Sequence, residues 1–392
     1  MPFLAGSLAF ERFSVVGFES PSFADEHIEL LQQHVAGNLQ TSSSENTHVG
    51  FLGGAHLFDQ EFDLSKNLIN EAVHCSVRID TNQIPSAIRK AWLQMELAAA
   101  AKESPSGVPT KTQRKEAKEA MEQRCVVEAA TGKYRKMQPF PFLWDLRQSL
   151  LYFGGSAGTA SGHCADLMER IFDVQLRHVS AGSIAQGWAV EADRVAEVDD
   201  LMPATFVAGQ HHGQVAWTNE HSQSPDFLGN EFLLWLWWTL ENKTDTIVLS
   251  DSTEVVVMLN KTLSLECPNG DSGKETISAE CPIQLPEAMQ AIQSGKLPRK
   301  AGMTIVREGQ RFDLVLQAES FGISGARIHL DDDDDDFQVE DRIDAIRRLS
   351  GTIDQLFHTF CEVRTGPTWS NELSGISQWL DSAGKSRQKA AA

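Results

Sequence analysis

A group of positively charged side chains between residues 111 and 136 has the clearest chemical use in this sequence. Eight Lys and Arg residues stand there against four Glu residues, a local excess of four positive charges. The eight are Lys111, Arg114, Lys115, Lys118, Arg124, Lys133, Arg135 and Lys136. Ammonium and guanidinium groups neutralise phosphates whatever the base sequence, and such binding weakens as salt rises. The alternative is a solvated helix held by Glu–Lys pairs three and four residues apart, for which Lys115 and Glu119 are well spaced.

A second basic group follows near residue 300, where Glu308 is the single acidic residue between positions 296 and 311. Its members are Lys296, Arg299, Lys300, Arg307 and Arg311. The last two lie at or near a predicted pair of strands, so Arg307 and Arg311 could line a concave surface that receives phosphates. Ordinary surface charge is the alternative.

Residues 331–336 are an unbroken run of Asp. Like charges repel one another, which favours a solvated loop between a strand and a long helix. Two further interpretations are a weak site for divalent ions and an electrostatic competitor that keeps phosphates away from basic surfaces. A two-metal nuclease needs carboxylates that converge from several elements, so the run alone does not indicate an enzyme.

The familiar catalytic and metal-binding motifs are missing or incomplete. Residues 270–276 contain a Gly-Lys pair but lack the spacing of a phosphate-binding loop. His211-His212 and His163-Cys164 have no partners at the spacing of zinc ligands. There is no G-x-S-x-G segment for a nucleophilic serine. We therefore expect no catalytic residues, no metal ion and no cofactor.

The elements around the first basic group are predicted by hydrophobic periodicity. Residues 71–80 alternate between apolar and polar side chains, which is typical of a half-buried strand. Pro85 then starts a helix in which Ile88, Trp92 and Met95 recur at steps of four and three residues. A charged helix over 110–129 follows a turn rich in Pro and Gly. The two helices predict an antiparallel hairpin that projects from the body of the protein.

Later segments predict a mixture of helices and strands without a regular strand–helix–strand order. Residues 227–240 are apolar nearly all round, which indicates a core helix too short to span a membrane. After this helix, the sequence predicts two pairs of strands and a long amphipathic helix, at 246–250, 254–259, 311–319, 323–330 and 341–360. This arrangement predicts the α+β class.

Length and charge restrict the possible functions. A chain of 392 residues is long enough for two or three hydrophobic cores. Its formal net charge of −20 argues against general affinity for nucleic acid, so DNA binding depends on where the cations gather. The first residues lack a basic leader, and six scattered cysteines indicate reduced thiols. These features predict a cytoplasmic protein that does not enter the membrane.

The order of these segments resembles the recombination-associated protein RdgC family. The resemblance begins with the strand at 73–79, Ile84-Pro85 and its helix, and the charged helix at 110–124. It continues with a predicted return strand at 142–152. Further similar phrases lie at 227–238, 287–296 and 311–316, so the resemblance spans about residues 7–380.

The resemblance implies a horseshoe-shaped monomer with a centre, a tip and a base. The centre would comprise residues 1–82 and 141–225, the helical-hairpin tip 83–140, the base 226–381 and a flexible tail 382–392. Two copies would close head-to-head and tail-to-tail into a ring around double-stranded DNA in the nucleoid. Members of the family bind DNA without sequence preference and restrain the RecA recombinase.

Carried onto this sequence, the resemblance assigns residues 111–136 to the tip, and Lys296 with Arg311 to a basic inner wall. Phe140 and Phe142 become candidates for the dimer interface, with simple core packing as the alternative. The sequence departs from the family in its acidity, its Asp run and its extra length before Glu287. The family has also been labelled an exonuclease, and no residues here support that label.

The expected function is therefore sequence-independent binding of double-stranded DNA by a non-enzymatic homodimer that modulates a RecA-type recombinase. Two alternatives from other classes remain. One is a metal-dependent DNA exonuclease. The other is an acidic interaction protein that contacts a recombinase or another basic partner without touching DNA.

Overall fold

The structure is a computed structural model that describes residues 3–37, 42–44, 47–156, 158–207, 224–268, 273–329 and 339–388. The Asp run, His211-His212 and part of the 270–276 segment lie outside these residues. Helices and antiparallel strands are mixed along the chain, which confirms the predicted α+β class.

In the first half of the chain, the described residues form eight strands and five helices. In chain order they are β1 (Leu8–Val16), α1 (Asp25–Gln33), β2 (Ser42–Ser44), β3 (Thr47–Leu52), α2 (Leu64–Asn67), β4 (Leu68–Ile69), β5 (Ala72–Thr81), α3 (Ser86–Glu103), α4 (Lys111–Ala130), β6 (Lys136–Asp145), β7 (Leu150–Phe153), α5 (Thr159–Phe172) and β8 (Gln175–His178).

The second half contributes the remaining described elements and a short 3-10 turn at Pro282–Gln284. In chain order they are α6 (Ala181–Glu191), α7 (Val195–Asp199), α8 (Phe227–Asn242), β9 (Thr246–Val248), β10 (Glu254–Glu266), β11 (Glu275–Ala279), α9 (Pro286–Gln293), β12 (Leu297–Arg307), β13 (Gln310–Gln317), β14 (Ile323–His329), α10 (Val339–Thr365) and α11 (Trp369–Gln388).

The strands form one continuous sheet, with β1 near its middle. The order is β11-β10-β12-β13-β14-β1-β7-β6-β5-β3-β2, and every pairing between these neighbours is antiparallel. Leu8 and Phe10 of β1 pair with β14, whereas Glu11–Ser14 pair with β7. The first strand therefore joins a half built from residues 254–329 to a half built from residues 42–153.

Helices cover opposite faces of the sheet in its two halves. In the half formed by β10 to β14, helices α8 to α11 bury side chains such as Phe312 and Phe357 in one core. In the other half, α1 and α5 contribute to a second core on the opposite face. The change is visible within β7, because Tyr152 belongs to the first core and its neighbours Leu151 and Phe153 to the second. Adjacent residues of a strand point to opposite faces.

Three predicted boundaries differ from the ends of the strands and helices in the structure. The predicted return strand at 142–152 is a hairpin of β6 and β7, which turns through residues 146–149. The tip boundary at 140 falls inside β6, which pairs with β5 from Thr81 to Ala72. At the other end of the chain, residues 382–388 of the predicted tail belong to α11.

Candidate nucleic-acid interface

Helices α3 and α4 form the predicted antiparallel hairpin, called the arm here (Ser86–Ala130). A small core joins its residues Trp92, Met121 and Ala129 to Ile84, which lies just before α3. The side chains of Thr110 and Gln113 cap the start of α4 reciprocally, with an Oγ1–N distance of 3.3 Å and an Oε1–N distance of 2.9 Å. The arm is therefore a thin structure that buries few side chains.

Met95 does not join the apolar face predicted for α3. Its side chain is 59% exposed, whereas Ile88 and Trp92 pack toward α4. The side that faces α4 continues instead through Glu96 and Ala100, which are half-buried. Ile88, Trp92, Glu96 and Ala100 follow one another at steps of four residues and so lie on one flank of α3.

Three lysines of the arm form a basic stripe on α4. Lys111, Lys115 and Lys118 are exposed and follow one another at steps of four and three residues, which places them on one flank of the helix. The stripe is about 10 Å long at the helical rise per residue. Lys115 lies 3.6 Å from Glu119 and Lys118 3.8 Å from Glu122, so the predicted Glu–Lys pairs exist. Such exposed pairs are weak and exchange readily with other anions.

The other cations of the first group have partners of different kinds. Arg114 donates a hydrogen bond of 3.2 Å to the carbonyl of Pro109. The guanidinium of Arg124 lies 4.6 Å from the ring centroid of Trp92 and covers the core of the arm. These two side chains support the fold of the arm as well as its charge.

At the base of the arm, basic side chains connect it to the sheet. Arg135 donates a 2.5 Å hydrogen bond to Asp80, a buried carboxylate that Arg78 also contacts at 2.9 Å. Lys133 lies 5.5 Å from the ring of Tyr134, and Lys136 is exposed at the start of β6. Arg135 is thus a fixed connection between arm and sheet.

The second basic group does not stay together. Lys296 is buried and paired with Glu275, and Arg299 pairs with Glu266 at 3.0 Å and Glu319 at 2.9 Å. These cations lie at one end of the sheet and are neutralised by carboxylates. The assignment of Lys296 to a phosphate-binding wall is not supported by this arrangement, because its ammonium group is buried against Glu275.

Arg307 is directed away from Lys300 and Arg311. It contacts Asp251 and the hydroxyl of Thr352 in α10, so its side chain is on the helix-covered face of the sheet. Lys300 and Arg311 are on the opposite face. The register pairs Lys300 with Gln317, Arg311 with His329, and both Thr304 and Arg327 with Asp313. Residues paired across strands share a face.

This second face, called the open face here, is positively charged. It comprises Lys261, Lys300, Thr304, Arg311, Asp313, Arg327 and His329. Asp313 is the only carboxylate in the sequences of β12, β13 and β14. The helices that pack on these strands belong to the core on the other face, and no apolar residue of the open face enters a core cluster of the described chain.

Three basic side chains converge on Asp313. Its carboxylate lies 2.9 Å from Nζ of Lys261, 3.1 Å from Nε2 of His329 and 3.3 Å from Nη2 of Arg311, and it accepts a 2.6 Å hydrogen bond from Thr304. Burial raises the pKa of Asp313, but the hydrogen bonds from Thr304, Lys261 and His329 outweigh it and lower the pKa below its ordinary value. The carboxylate is therefore ionised and holds the cations close together.

Sequence reasoning missed Lys261, Arg327 and His329, which lie outside the segment 296–311. Lys261 reaches the open face from an irregular position of β10, where its backbone φ is 62° and the pairing with β12 shifts. The register of the four antiparallel strands β10, β12, β13 and β14 brings these side chains together. Their spacing in the sequence gives no signal of it.

The two aromatic candidates for a dimer interface occupy different environments. Phe142 is fully buried and contacts Phe51, with ring centroids 6.1 Å apart. Core packing, the alternative for this residue, therefore explains it, and Phe142 is unavailable to a second copy. Phe140 is half-buried and stacks on Phe153 at 5.7 Å.

Neither a metal centre nor a membrane span emerges from the described residues. No group of three or more His, Cys, Asp or Glu side chains among them could hold a metal ion. None of their helices is long and apolar enough to cross a bilayer.

The chain was compared with known protein families and with curated proteins. No protein-family model matches it, and no curated protein is found to be similar to it.

Proposed function

We propose that this protein binds double-stranded DNA without sequence preference and without catalysing a reaction. The observation that carries the proposal is the basic stripe of Lys111, Lys115 and Lys118 on an exposed arm of a chain whose net charge is −20. Ammonium groups at this spacing suit the phosphates of a duplex, which are read by charge alone. The acidic remainder repels DNA and so restricts contact to the basic surfaces.

The proposal includes the architecture implied by the resemblance to the RdgC family. The arm corresponds to the tip of a horseshoe, and two copies close into a ring whose twofold symmetry brings the same patch of each copy together. The half-buried Phe140 stays a candidate for one contact. A ring around the duplex would restrain a RecA-type recombinase by occupying its substrate, in the nucleoid of the cytoplasm.

The proposal is tested by measuring the affinity for a fluorescent duplex of about 30 base pairs over a range of salt concentrations. The variant Lys115→Gln/Lys118→Gln removes two exposed charges of the stripe. The matched control, Arg170→Gln/Arg348→Gln, removes two exposed charges of α5 and α10. We expect the stripe variant to bind about tenfold more weakly and to lower the salt slope by about 2, with little change in the control.

Several outcomes would overturn the proposal. Equal losses in both variants would indicate a general charge effect, and no binding at low salt would favour an interaction protein that does not touch DNA. Degradation of a linear duplex with Mg²⁺ or Mn²⁺ would show an exonuclease. A mass of one chain in sedimentation equilibrium at micromolar concentration would exclude the ring.

A further inference from the structure

We infer that the open face is a second DNA-backbone surface, separate from the arm. The inference deepens the proposed function and rests on it. Lys300 and Arg311 belong to this face, and Lys261, Arg327 and His329 extend it across four neighbouring strands. Neighbouring strands lie about 4.8 Å apart, so these basic side chains form one continuous patch.

The patch carries more positive charge than its own carboxylate neutralises. Asp313 pairs with Lys261, Arg311 and His329, while Lys300 and Arg327 form no ion pair within the described part of the chain. The side chains of Lys261 and Arg311 are 58% and 51% exposed, so they can contact a ligand without leaving Asp313. A surplus of cations beside one ionised carboxylate suits an extended polyanion.

Phosphodiester groups fit this face better than a second copy of the same face does. A twofold contact would bring equal patches together, so each Arg311 and Arg327 would meet cations of the other copy. A duplex presents a row of single negative charges along each strand, and the basic side chains of the open face offer donors over several strands. The surface also lacks the aromatic anchors that dominate stable protein interfaces.

Asp313 has a defined part in this surface. Its carboxylate orders the side chains of Lys261, Arg311 and His329 and, at the same time, competes with phosphate for the two cations Lys261 and Arg311. Replacing it with Asn keeps the size of the side chain and an oxygen acceptor but removes the competing charge. The variants Asp313→Asn and Lys261→Gln/Arg327→Gln should therefore change DNA affinity in opposite directions.

The experiment uses the full chain, the same duplex and the same Arg170→Gln/Arg348→Gln control. We expect Lys261→Gln/Arg327→Gln to weaken binding about tenfold and to lower the salt slope by about 2, and Asp313→Asn to tighten binding severalfold. Circular dichroism and thermal melting verify that each variant is folded, and Lys300→Gln provides a second probe that leaves the Asp313 cluster intact.

Two results separate failure of this inference from failure of the proposed function. If Lys261→Gln/Arg327→Gln and Lys300→Gln bind like the control while the stripe variant is weakened, the arm binds DNA and the open face does not. If the unaltered protein fails to bind the duplex at low salt, the inference and the proposed function are both wrong.

Discussion

The guanidinium of Arg12, in β1, donates one hydrogen bond of 2.7 Å to each carboxylate oxygen of Asp354, in α10. Arg12 is 1% exposed, so this bidentate pair satisfies a buried charge and attaches the first strand of the sheet to the long helix. Arg347 and Asp145 make a similar buried connection between α10 and β6.

Asp354→Ala should lower the free energy of unfolding by about 3 kcal/mol or more, because it leaves the buried Arg12 charge without a partner. Urea denaturation monitored by Trp fluorescence measures the loss. The control is Glu119→Gln, which removes an exposed i,i+4 pair of the arm and should cost less than about 0.5 kcal/mol. Equal effects of the two substitutions would contradict this ranking.

Gly229 of α8 should not tolerate a side chain. A Cβ at this position would overlap the backbone carbonyl of Ala318, so Gly229→Ala must move the helix away from the sheet. We expect a loss of about 2 kcal/mol or more. Gly187 of α6 is the matched control, since a Cβ there meets nothing within 4 Å and Gly187→Ala should stabilise its helix by about 0.5–1 kcal/mol. A stabilising Gly229→Ala would disprove the close approach.

His74 should make stability depend on pH between about 6.5 and 4. Burial lowers its pKa to about 4, so the unfolded chain takes up a proton near its ordinary pKa while the folded chain does not. Stability is therefore greatest above 6.5 and falls by about 3 kcal/mol as the pH drops to 4. His74→Gln should flatten this decline in urea midpoints measured from pH 7 to 4.5. The exposed His56→Gln is the control, and identical slopes for the two variants would refute the assignment.

Trp92→Ala should unfold the arm without unfolding the sheet. Trp92 is the largest residue of a core with only four buried members among the described residues, and Arg124 stacks on it. Removing a buried Trp side chain costs about 3–5 kcal/mol, more than so small a core can supply. Hydrogen–deuterium exchange should become fast in α3 and α4 but stay slow in β5 and β6. Loss of protection throughout the sheet would show that arm and body unfold together.

Periodicity located the elements whose burial is simple. The core helix predicted at 227–240 is α8, which ends two residues later, and the helix predicted at 341–360 is the middle of α10. The strand predicted at 71–80 is β5, although both of its faces are buried. Arg78 is covered because it donates to the carbonyl of Leu57 and pairs with Asp80. The alternation of residue types cannot reveal the contact with Leu57, which belongs to a distant segment.

The sequence was less informative about the basic surfaces, for a geometric reason. Strand β12 was not predicted, since Pro298, Gly302 and several cations interrupt its apolar alternation. Side chains of a strand alternate between its two faces, so Lys300 and Arg307, an odd number of residues apart, lie on different faces. Lys261 and Arg327 are far apart in sequence, and both lie beside Asp313 because of the register of the strands. The helical stripe at 111–118 could be predicted because a helix keeps near neighbours on one flank.

The central position of β1 also has a consequence for biosynthesis. Leu8 is synthesised more than 300 residues before its partner Ala326. At translation rates of about 5–20 residues per second, one edge of that strand waits for roughly 15–60 s with unused hydrogen-bonding groups. Such an edge is a template for pairing with foreign chains. A nascent chain that stops before β14 would leave this edge of β1 unpaired. In the finished protein, β14 covers the same edge near the middle of the sheet.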